Sequence, residues 1–129
     1  MQNFLHGWGL VILSGILDSS AIILIKKSLN RFGKIPLESV GLTFDYLIDF
    51  LKSPISLAGI LFYLCSPFIW FLALSRLEVS KAYPVLVSIH LVLSFLLAVM
   101  FLDEKLTLIK MIALFMILTG AILLINKQA

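Results

Sequence analysis

Four long apolar runs, each about as long as a bilayer is thick, constrain this chain more than any other feature. They cover residues 5–27, 53–76, 81–102 and 106–126. A helix needs about 20 mostly apolar residues to cross a hydrocarbon core about 30 Å thick. Because unpaired peptide groups are costly in hydrocarbon, each run is predicted to form an α-helix that spans a membrane.

The composition excludes a water-soluble fold. Of the 129 residues, 61% are hydrophobic and 13% are charged, whereas soluble domains have about 45–50% apolar and about 25% charged residues. A soluble domain of this length must keep a largely polar surface. The single cysteine, Cys65, excludes an internal disulfide and a multi-cysteine metal site. We therefore expect one membrane domain over residues 1–129, without a metal or cofactor.

The connection between the first two runs is the longest, and its second half is predicted to be an interfacial helix over residues 38–52. At helical spacing its apolar and charged positions fall on opposite faces: Phe44, Leu47, Ile48 and Leu51 on one face, and Asp45, Asp49 and Lys52 on the other. The other two connections are short and force antiparallel neighbours. The expected fold is all-α, an up-down bundle of four transmembrane helices with an interfacial helix between the first and second.

The basic residues are unevenly distributed between the two ends of this predicted bundle. Seven lie at the end of the long loop, and three, Arg76, Lys81 and Lys127, lie at the other. The positive-inside rule then predicts the long loop in the cytoplasm and both termini outside. The net charge of +3 is interpreted as attraction to membrane lipids, not to nucleic acid, because the basic residues do not cluster on a soluble face.

Asp18 is the most costly residue in the apolar runs. It lies about midway along the first run, where a charge costs roughly 2.5–3.5 kcal/mol to insert. Residues kept at such a cost usually have a function, and a proton or a cationic solute can neutralise the carboxylate. The structural alternative is a protonated Asp18 that is hydrogen-bonded to Ser14, one turn earlier, or to another helix.

His90 lies at a comparable depth in the third run and shares a helical face with Tyr83. Since neighbouring spans are antiparallel, Asp18 and His90 can meet. Our hypothesis is that they line one cavity near the bilayer midplane, as a proton-sharing pair or as separate anion and cation sites. The alternative is a neutral His90 that donates to a backbone carbonyl.

The second run presents an aromatic face that can also form hydrogen bonds. Tyr63, Ser66 and Trp70 repeat there at intervals of three and four residues, which puts them on one side of a helix. This pattern is compatible with ordinary packing or with the wall of a cavity. The following Pro67 removes a backbone hydrogen bond and is expected to bend the helix.

The motifs of common enzyme sites are missing from the sequence. It contains no GxSxG, HExxH, CxxC or glycine-rich phosphate loop, and its loops are too short to build a catalytic site. We therefore predict that the chain is not an enzyme.

Several fragments, in this order, resemble the drug/metabolite transporter superfamily (EamA-like), specifically its short four-helix members. The sequence LDSSA at residues 17–21, continuing to KKS at 26–28, looks like the first helix of the small multidrug resistance family. The sequence SKAYP at residues 80–84 looks like the start of that family's third helix. DEKL at 103–106, followed by LTGA at 118–121, resembles the superfamily's closing loop and helix.

This resemblance implies that Asp18 takes the place of the family's membrane-embedded glutamate and Lys26 that of its lysine. Three features depart from that family: Leu86 stands where it has a tryptophan, Ser88 and His90 stand where it has glycines that let the third helix bend, and the first loop is far longer. Cationic drugs would therefore lose an aromatic partner.

A second short branch is also similar, namely the paired subunits of the undecaprenyl-phosphate aminoarabinose flippase type. The shared features are an amphipathic stretch before the second span, the SKAY run, and the series Gly59, Tyr63, Ser66 and Trp70. The resemblance implies translocation of a lipid-linked sugar across a bacterial inner membrane. A phosphate could contact Lys26, Lys81 and His90 while gaps between helices admit the apolar tail.

The predicted function is therefore a small transporter that flips a polyprenyl-phosphate-linked sugar or a related lipid-linked substrate. The alternative is a proton-coupled exporter of cationic drugs or small polar metabolites. The flippase subunits carry a glutamine, not an acid, near the position of Asp18, so the acid in this chain leaves a proton-coupled cycle open. One four-helix bundle offers little wall for an enclosed cavity, so a homodimer or a heterodimer with a similar small subunit is expected. The predicted site residues are Asp18 as the proton or cation site, Tyr63, Trp70, Tyr83 and His90 as cavity lining, and Lys26 and Lys81 as anion contacts.

Overall fold

Helices account for all the regular structure in the part of the chain that the computed structural model describes, namely the backbone of residues 2–126 and the side chains of residues 6–124. They are α1 (Gln2–Phe32), α2 (Val40–Lys52), α3 (Pro54–Leu74), α4 (Val79–Phe101) and α5 (Leu108–Asn126). The predicted all-α class is confirmed. Lys127, which entered the charge count, lies outside the described residues.

Three helical segments are long and apolar enough to span a membrane: His6–Phe32, Pro54–Leu74 and Val79–Phe101. The fourth predicted span falls on α5, whose described apolar stretch, Leu108–Leu124, is shorter. Large apolar side chains project outward along these helices, including Phe68, which is 70% exposed. Such an exposed apolar surface fits helices that face lipid, whereas the fourth crossing stays a prediction.

Helix α1 extends beyond the predicted end of its apolar run and stops at Phe32 because of Gly33. Gly33 adopts a φ of 83° and donates its N–H to the carbonyl of Leu29 at 2.9 Å, which is the left-handed glycine cap of a helix. Past this cap, Tyr46 of α2 donates its hydroxyl to the Gly33 carbonyl at 2.8 Å. The capped end of α1 thus provides a contact that positions α2.

Helix α2 contacts the rest of the protein through an aromatic face that the sequence pattern did not single out. The ring of Phe50 is buried and lies 5.9 Å from that of Phe32 and 6.3 Å from that of Tyr46. Of the predicted apolar face, Phe44, Leu47 and Leu51 are exposed. These three side chains therefore stay available to lipid, and the interfacial role of α2 stays a prediction.

Helix α1 is the centre of the molecule, because it packs extensively against both α3 and α4. Small residues allow this close approach: a Cβ on Gly15 would meet Ile89 Cγ2 at 2.8 Å, and one on Gly59 would meet Ile25 Cγ1 at 2.9 Å. Helices α3 and α4 touch each other only slightly, and within the described residues α5 contacts only α4. Within the described residues the helices thus form a row in the order α3, α1, α4 and α5, and the up-down bundle of four transmembrane helices stays a prediction.

Buried hydroxyl groups fasten α1 to its two neighbours. The hydroxyls of Ser14 and Ser66 lie 2.9 Å apart, and a second serine pair, Ser28 and Ser56, joins the same two helices further along. On the other side, the hydroxyl of Ser19 donates to the carbonyl of His90 in α4 at 3.2 Å. In hydrocarbon such bonds set the register of helices, since no water competes for the hydroxyls.

The serine pair between α1 and α3 gives a direct test of this packing. We expect Ser14→Ala and Ser66→Ala to be non-additive in the free energy of unfolding, with a coupling of about 0.6 kcal/mol, the average for such bonds between membrane helices. Denaturation of the purified chain in detergent micelles measures it. Ser14→Ala combined with Ser75→Ala, whose hydroxyl is exposed and bonds only within its own helix, should be additive. Additivity in both cycles would contradict the pairing.

Candidate functional site

A cavity of about 380 Å³, which we call the central cavity, lies beside α1 in the space between α3 and α4. Its lining comes from these three helices and consists of Asp18, Ile22, Tyr63, Ser66, Pro67, Trp70, Tyr83, Leu86, Val87 and His90. The serine bonds on either side of α1 hold these helices in place. A cavity of this size falls in the range of small-ligand sites, roughly 300–1,000 Å³.

Five of the seven predicted site residues line this cavity, and they come from all three helices: Asp18, Tyr63, Trp70, Tyr83 and His90. The structure therefore brings Asp18 and His90 to one cavity, although α1 and α4, which carry them, run parallel and not antiparallel as expected. What each side chain does there stays a prediction.

Lys26 and Lys81 do not line the cavity, so the expected anion site with His90 is not assembled in this chain. Lys26 lies about two turns, or 12 Å, beyond Asp18 on α1 and lines a different cleft. Lys81 lies in the first turn of α4, where its Nζ is 2.8 Å from Oε2 of Glu78. The predicted role of both lysines as anion contacts at the cavity would need another conformation or a second subunit.

Asp18 is half-buried, and within residues 6–124 it makes no hydrogen bond and no ion pair. The alternative partner, Ser14, uses its hydroxyl on Ser66. The neighbouring Ser19 is also engaged, because its single hydroxyl proton is shared between the carbonyls of Gly15, at 2.8 Å, and His90, at 3.2 Å. The carboxyl group of Asp18 is therefore free to meet a ligand in the cavity.

His90 contributes its ring to the cavity while its backbone is held by α1. Its carbonyl accepts the hydroxyl of Ser19, and its Nδ1 is buried without a hydrogen-bond partner among the described residues. The alternative in which Nδ1 donates to a backbone carbonyl is thus not formed. An unpartnered buried nitrogen is costly, so His90 has an unmet hydrogen-bonding group beside the cavity.

Trp70 and Tyr83 form an aromatic wall across the gap between α3 and α4. Their ring centroids lie 6.2 Å apart at an interplanar angle of 54°, an arrangement typical of packed aromatic pairs. Tyr63 and Tyr83 are more than half exposed, at 54% and 55%. The cavity is therefore accessible beside these exposed rings, on the side where α3 and α4 touch only slightly.

Pro67 adds a backbone acceptor that the sequence interpretation missed. Because proline has no N–H, the carbonyl of Tyr63, four residues earlier in α3, lacks its usual helical donor, and both residues line the cavity. Leu86 and Val87 were also not predicted as site residues, and Ser66 was considered for a cavity wall but not included among them. The available signal was helical spacing, since Val87 lies three residues before His90 and Ser66 three after Tyr63.

The cavity of one chain holds one carboxylate. No cluster of three His, Cys, Asp or Glu side chains occurs among the residues described here. The ligands available to a hard cation are therefore oxygen atoms: the carboxylate of Asp18, two tyrosine hydroxyls and the carbonyl freed by Pro67.

Apolar helices of spanning length around a cavity that holds an unpaired acidic side chain are typical of polytopic membrane transporters. The chain belongs to the family described as "Magnesium transporter NIPA", whose model matches residues 2–129. This is a family of membrane transporters related to the EamA-like drug/metabolite transporters, so the superfamily resemblance is confirmed. No match was found among curated proteins or among solved structures.

A transporter family agrees with the prediction that the chain is not an enzyme and with a multi-pass position in a membrane. The finer resemblances, to the small multidrug resistance family and to the flippase subunits, have no match in support.

Proposed function

We propose that the cavity is the substrate site of this transporter and that the substrate is a cation. The observation that carries the proposal is the unpaired carboxyl group of Asp18 at the wall of a cavity lined by aromatic, hydroxyl and imidazole groups. A carboxylate in low dielectric attracts a cation more strongly than in water. A bound cation would also offset the cost of keeping the charge within the membrane.

A cation is favoured over a phosphate by the positions of the lysines. An anionic headgroup needs cationic partners in a site of low dielectric, yet Lys81 is paired with Glu78 and Lys26 lies outside the cavity. His90 is then the only basic side chain in the cavity lining of one chain. The exporter alternative of the sequence interpretation therefore takes precedence over the flippase.

We propose Mg²⁺ as the first cation to test, because the family description names magnesium. Mg²⁺ prefers about six oxygen ligands and gives up its waters reluctantly. A largely hydrated ion would use the carboxylate of Asp18 directly or through water and the hydroxyls of Tyr63 and Tyr83 as outer contacts. An organic cation would instead use the faces of Trp70 and Tyr83.

A second subunit would complete the site. One carboxylate leaves a divalent ion half neutralised, and the cavity is open between α3 and α4. A second copy of this chain, or a similar small subunit, would close that side and bring a second acidic group. A homodimer or heterodimer therefore stays part of the proposal, in keeping with the paired halves of many transporters.

The membrane arrangement is also proposed. Helix α5 forms a fourth crossing, and α2 lies at the interface with Phe44, Leu47 and Leu51 toward lipid. The excess of basic residues at the end of the α1–α2 loop puts that loop in the cytoplasm, and the membrane is a bacterial inner membrane.

A lipid-linked sugar is the second candidate substrate, and the lateral opening of the cavity favours it. Since α3 and α4 diverge and expose Tyr63 and Tyr83, an apolar tail could stay in the bilayer while its headgroup enters the cavity. If the chain in liposomes flips a fluorescent polyprenyl phosphate but transports no cation, the lipid-linked sugar is supported over the cation as substrate.

The substrate is tested with the purified chain in liposomes that contain a Mg²⁺-sensitive dye, alongside uptake of a fluorescent organic cation. We expect Mg²⁺ uptake, and we expect Trp70→Leu to preserve it, because the change removes an aromatic face but no oxygen. Uptake of an organic cation would instead fall by about 2- to 30-fold in this variant, the range of a cation–π contact.

Phe68→Leu is the matched control, since Phe68 is an exposed aromatic residue on the same helix and outside the cavity lining. It should leave both fluxes unchanged. Uptake of the organic cation alone would refute Mg²⁺ as the substrate, and absence of both fluxes would refute cation transport.

A further inference from the structure

A second cavity, of about 500 Å³, lies between α1, α4 and α5 and shares only Ile22 with the central cavity. We call it the α5 cleft. It exists because α5 packs on α4 without touching α1 in the described part of the chain. In a bilayer such a gap must be filled, since empty space beside packed side chains forfeits their dispersion contacts.

The α5 cleft is amphipathic along its length. Its deeper part is lined by apolar side chains from all three helices, among them Ile23, Leu91, Phe95, Leu114 and Ile117. Its mouth is lined by Lys26, Glu104 and Lys110, which lie near the end of α1, in the α4–α5 link and in the first turn of α5. A ligand that fits this cleft therefore has a charged end and a long apolar end.

The charge at the mouth is positive and only partly compensated. Nζ of Lys110 lies 3.8 Å from a carboxylate oxygen of Glu104 and 5.9 Å from the ring centroid of Phe95. Lys26 has no ion pair and no hydrogen bond among the described residues. One ammonium group therefore stays unpaired at the mouth of the α5 cleft. A ligand with an anionic group at that end would neutralise it.

A buried hydroxyl further down supports a ligand that carries oxygen beyond its charged end. The Oγ of Ser94 is buried and has no hydrogen-bond partner within residues 6–124, and Ser94 lines the α5 cleft. The carbonyl of His90, which is the usual acceptor four residues earlier, already accepts the hydroxyl of Ser19. Since its Oγ is closed to solvent, the Ser94 side chain would have to rotate toward the cleft to donate to an ester carbonyl of a bound lipid.

We propose that the α5 cleft binds one anionic glycerophospholipid, with its phosphate at Lys26 and Lys110 and one acyl chain along the apolar wall. Basic pockets between transmembrane helices are suited to anionic headgroups, and the charge at the mouth selects such a lipid over a zwitterionic one. The tail packs against Ile22, whose side chain also borders the central cavity. The inference is independent of the substrate that the central cavity carries.

The experiment titrates the purified full chain, in a neutral detergent, with phosphatidylglycerol, with phosphatidylcholine or with inorganic phosphate, and counts bound lipids by native mass spectrometry. We expect one phosphatidylglycerol, bound more tightly than phosphatidylcholine. Lys26→Gln and Lys110→Gln should each weaken its binding about fivefold, the effect expected for one basic residue at a lipid headgroup. Lys52→Gln, which removes a charge from the exposed face of α2, should leave it unchanged.

Ala113→Phe tests the apolar part with every charge in place. Ala113 is an exposed residue of α5 that lines the cleft, so the added ring should occupy the space of the acyl chain and weaken binding of both lipids. The thermal stability of the same samples is measured as well. Equal stabilisation by inorganic phosphate and by phosphatidylglycerol would overturn the proposal in favour of a small anion. Equal loss of phosphatidylglycerol binding in the Lys26→Gln and Lys52→Gln variants would overturn it too. So would a lipid-free dimer that Ala113→Phe disrupts, because a second copy of the chain would then fill the cleft.

Discussion

Replacing Asp18 by asparagine is expected to lower cation transport by at least about 100-fold. The change keeps the shape and one oxygen of the side chain but removes its charge, and loss of one partner from a desolvated ion pair costs about 3–5 kcal/mol. Flux of Mg²⁺ into liposomes measures the effect. Since Asp18 has no partner in the described part of the protein, its loss should not lower the helical content or the thermal stability.

The matched control is Asp45→Asn, the same chemical change on the exposed face of α2, which should transport normally. Asp18→Glu retains the charge and should retain a measurable part of the flux. Undiminished flux in correctly inserted Asp18→Asn protein would refute the role of this carboxylate. It would not affect the lipid site at the α5 cleft, whose residues are different apart from Ile22.

The residues of the central cavity were predictable because a bilayer fixes the depth of each helix. Once the apolar runs were placed, Asp18 and His90 had to lie near mid-membrane, on the first and third helices, which run parallel in an up-down order. Helical spacing then gave the faces that carry Tyr63 with Trp70 and Tyr83 with His90. Both kinds of information are local in the sequence, and the structure joins these faces in one cavity.

The partners of each helix were not predictable in the same way. Short loops predict that consecutive helices are antiparallel but not which helices touch. The position of α5 against α4 and away from α1 depends on side-chain packing that the hydrophobic pattern of the sequence does not predict. Lys26 is an example: it lies roughly 80° around α1 from Asp18, but the cleft that it lines exists only because α5 packs on α4 and not on α1.

Some missed features did have a signal in the sequence. Gly33 follows a stretch of polar and basic residues after the apolar run, the position where a left-handed glycine commonly ends a helix, and it sets the end of α1 at Phe32. Lys81 lies three residues after Glu78, a spacing that favours an ion pair on a helix. That pair, 2.8 Å long in the structure, places the Lys81 ammonium group beside Glu78 at the start of α4, and Lys81 does not line the cavity.

The contact between α1 and α3 is expected to be sensitive to a single methyl group at Gly59. A Cβ there would lie 2.9 Å from Cγ1 of Ile25 and 3.1 Å from its backbone nitrogen, and the backbone cannot move without displacing α1. Gly59→Ala should therefore reduce the free energy of unfolding by about 1–3 kcal/mol, the usual cost of overpacking, although alanine favours a helix by about 1 kcal/mol over glycine.

The comparison that isolates this steric effect is Gly120→Ala, because nothing lies within 4 Å of a Cβ at that position of α5. It should be neutral or slightly stabilising in the same denaturation experiment. Tyr63 lies one turn beyond Gly59 on α3, so separation of α3 from α1 should also displace this wall of the cavity and reduce flux. Equal stabilities for the two alanine variants would show that α1 and α3 are less closely packed than the contact at Gly59 indicates.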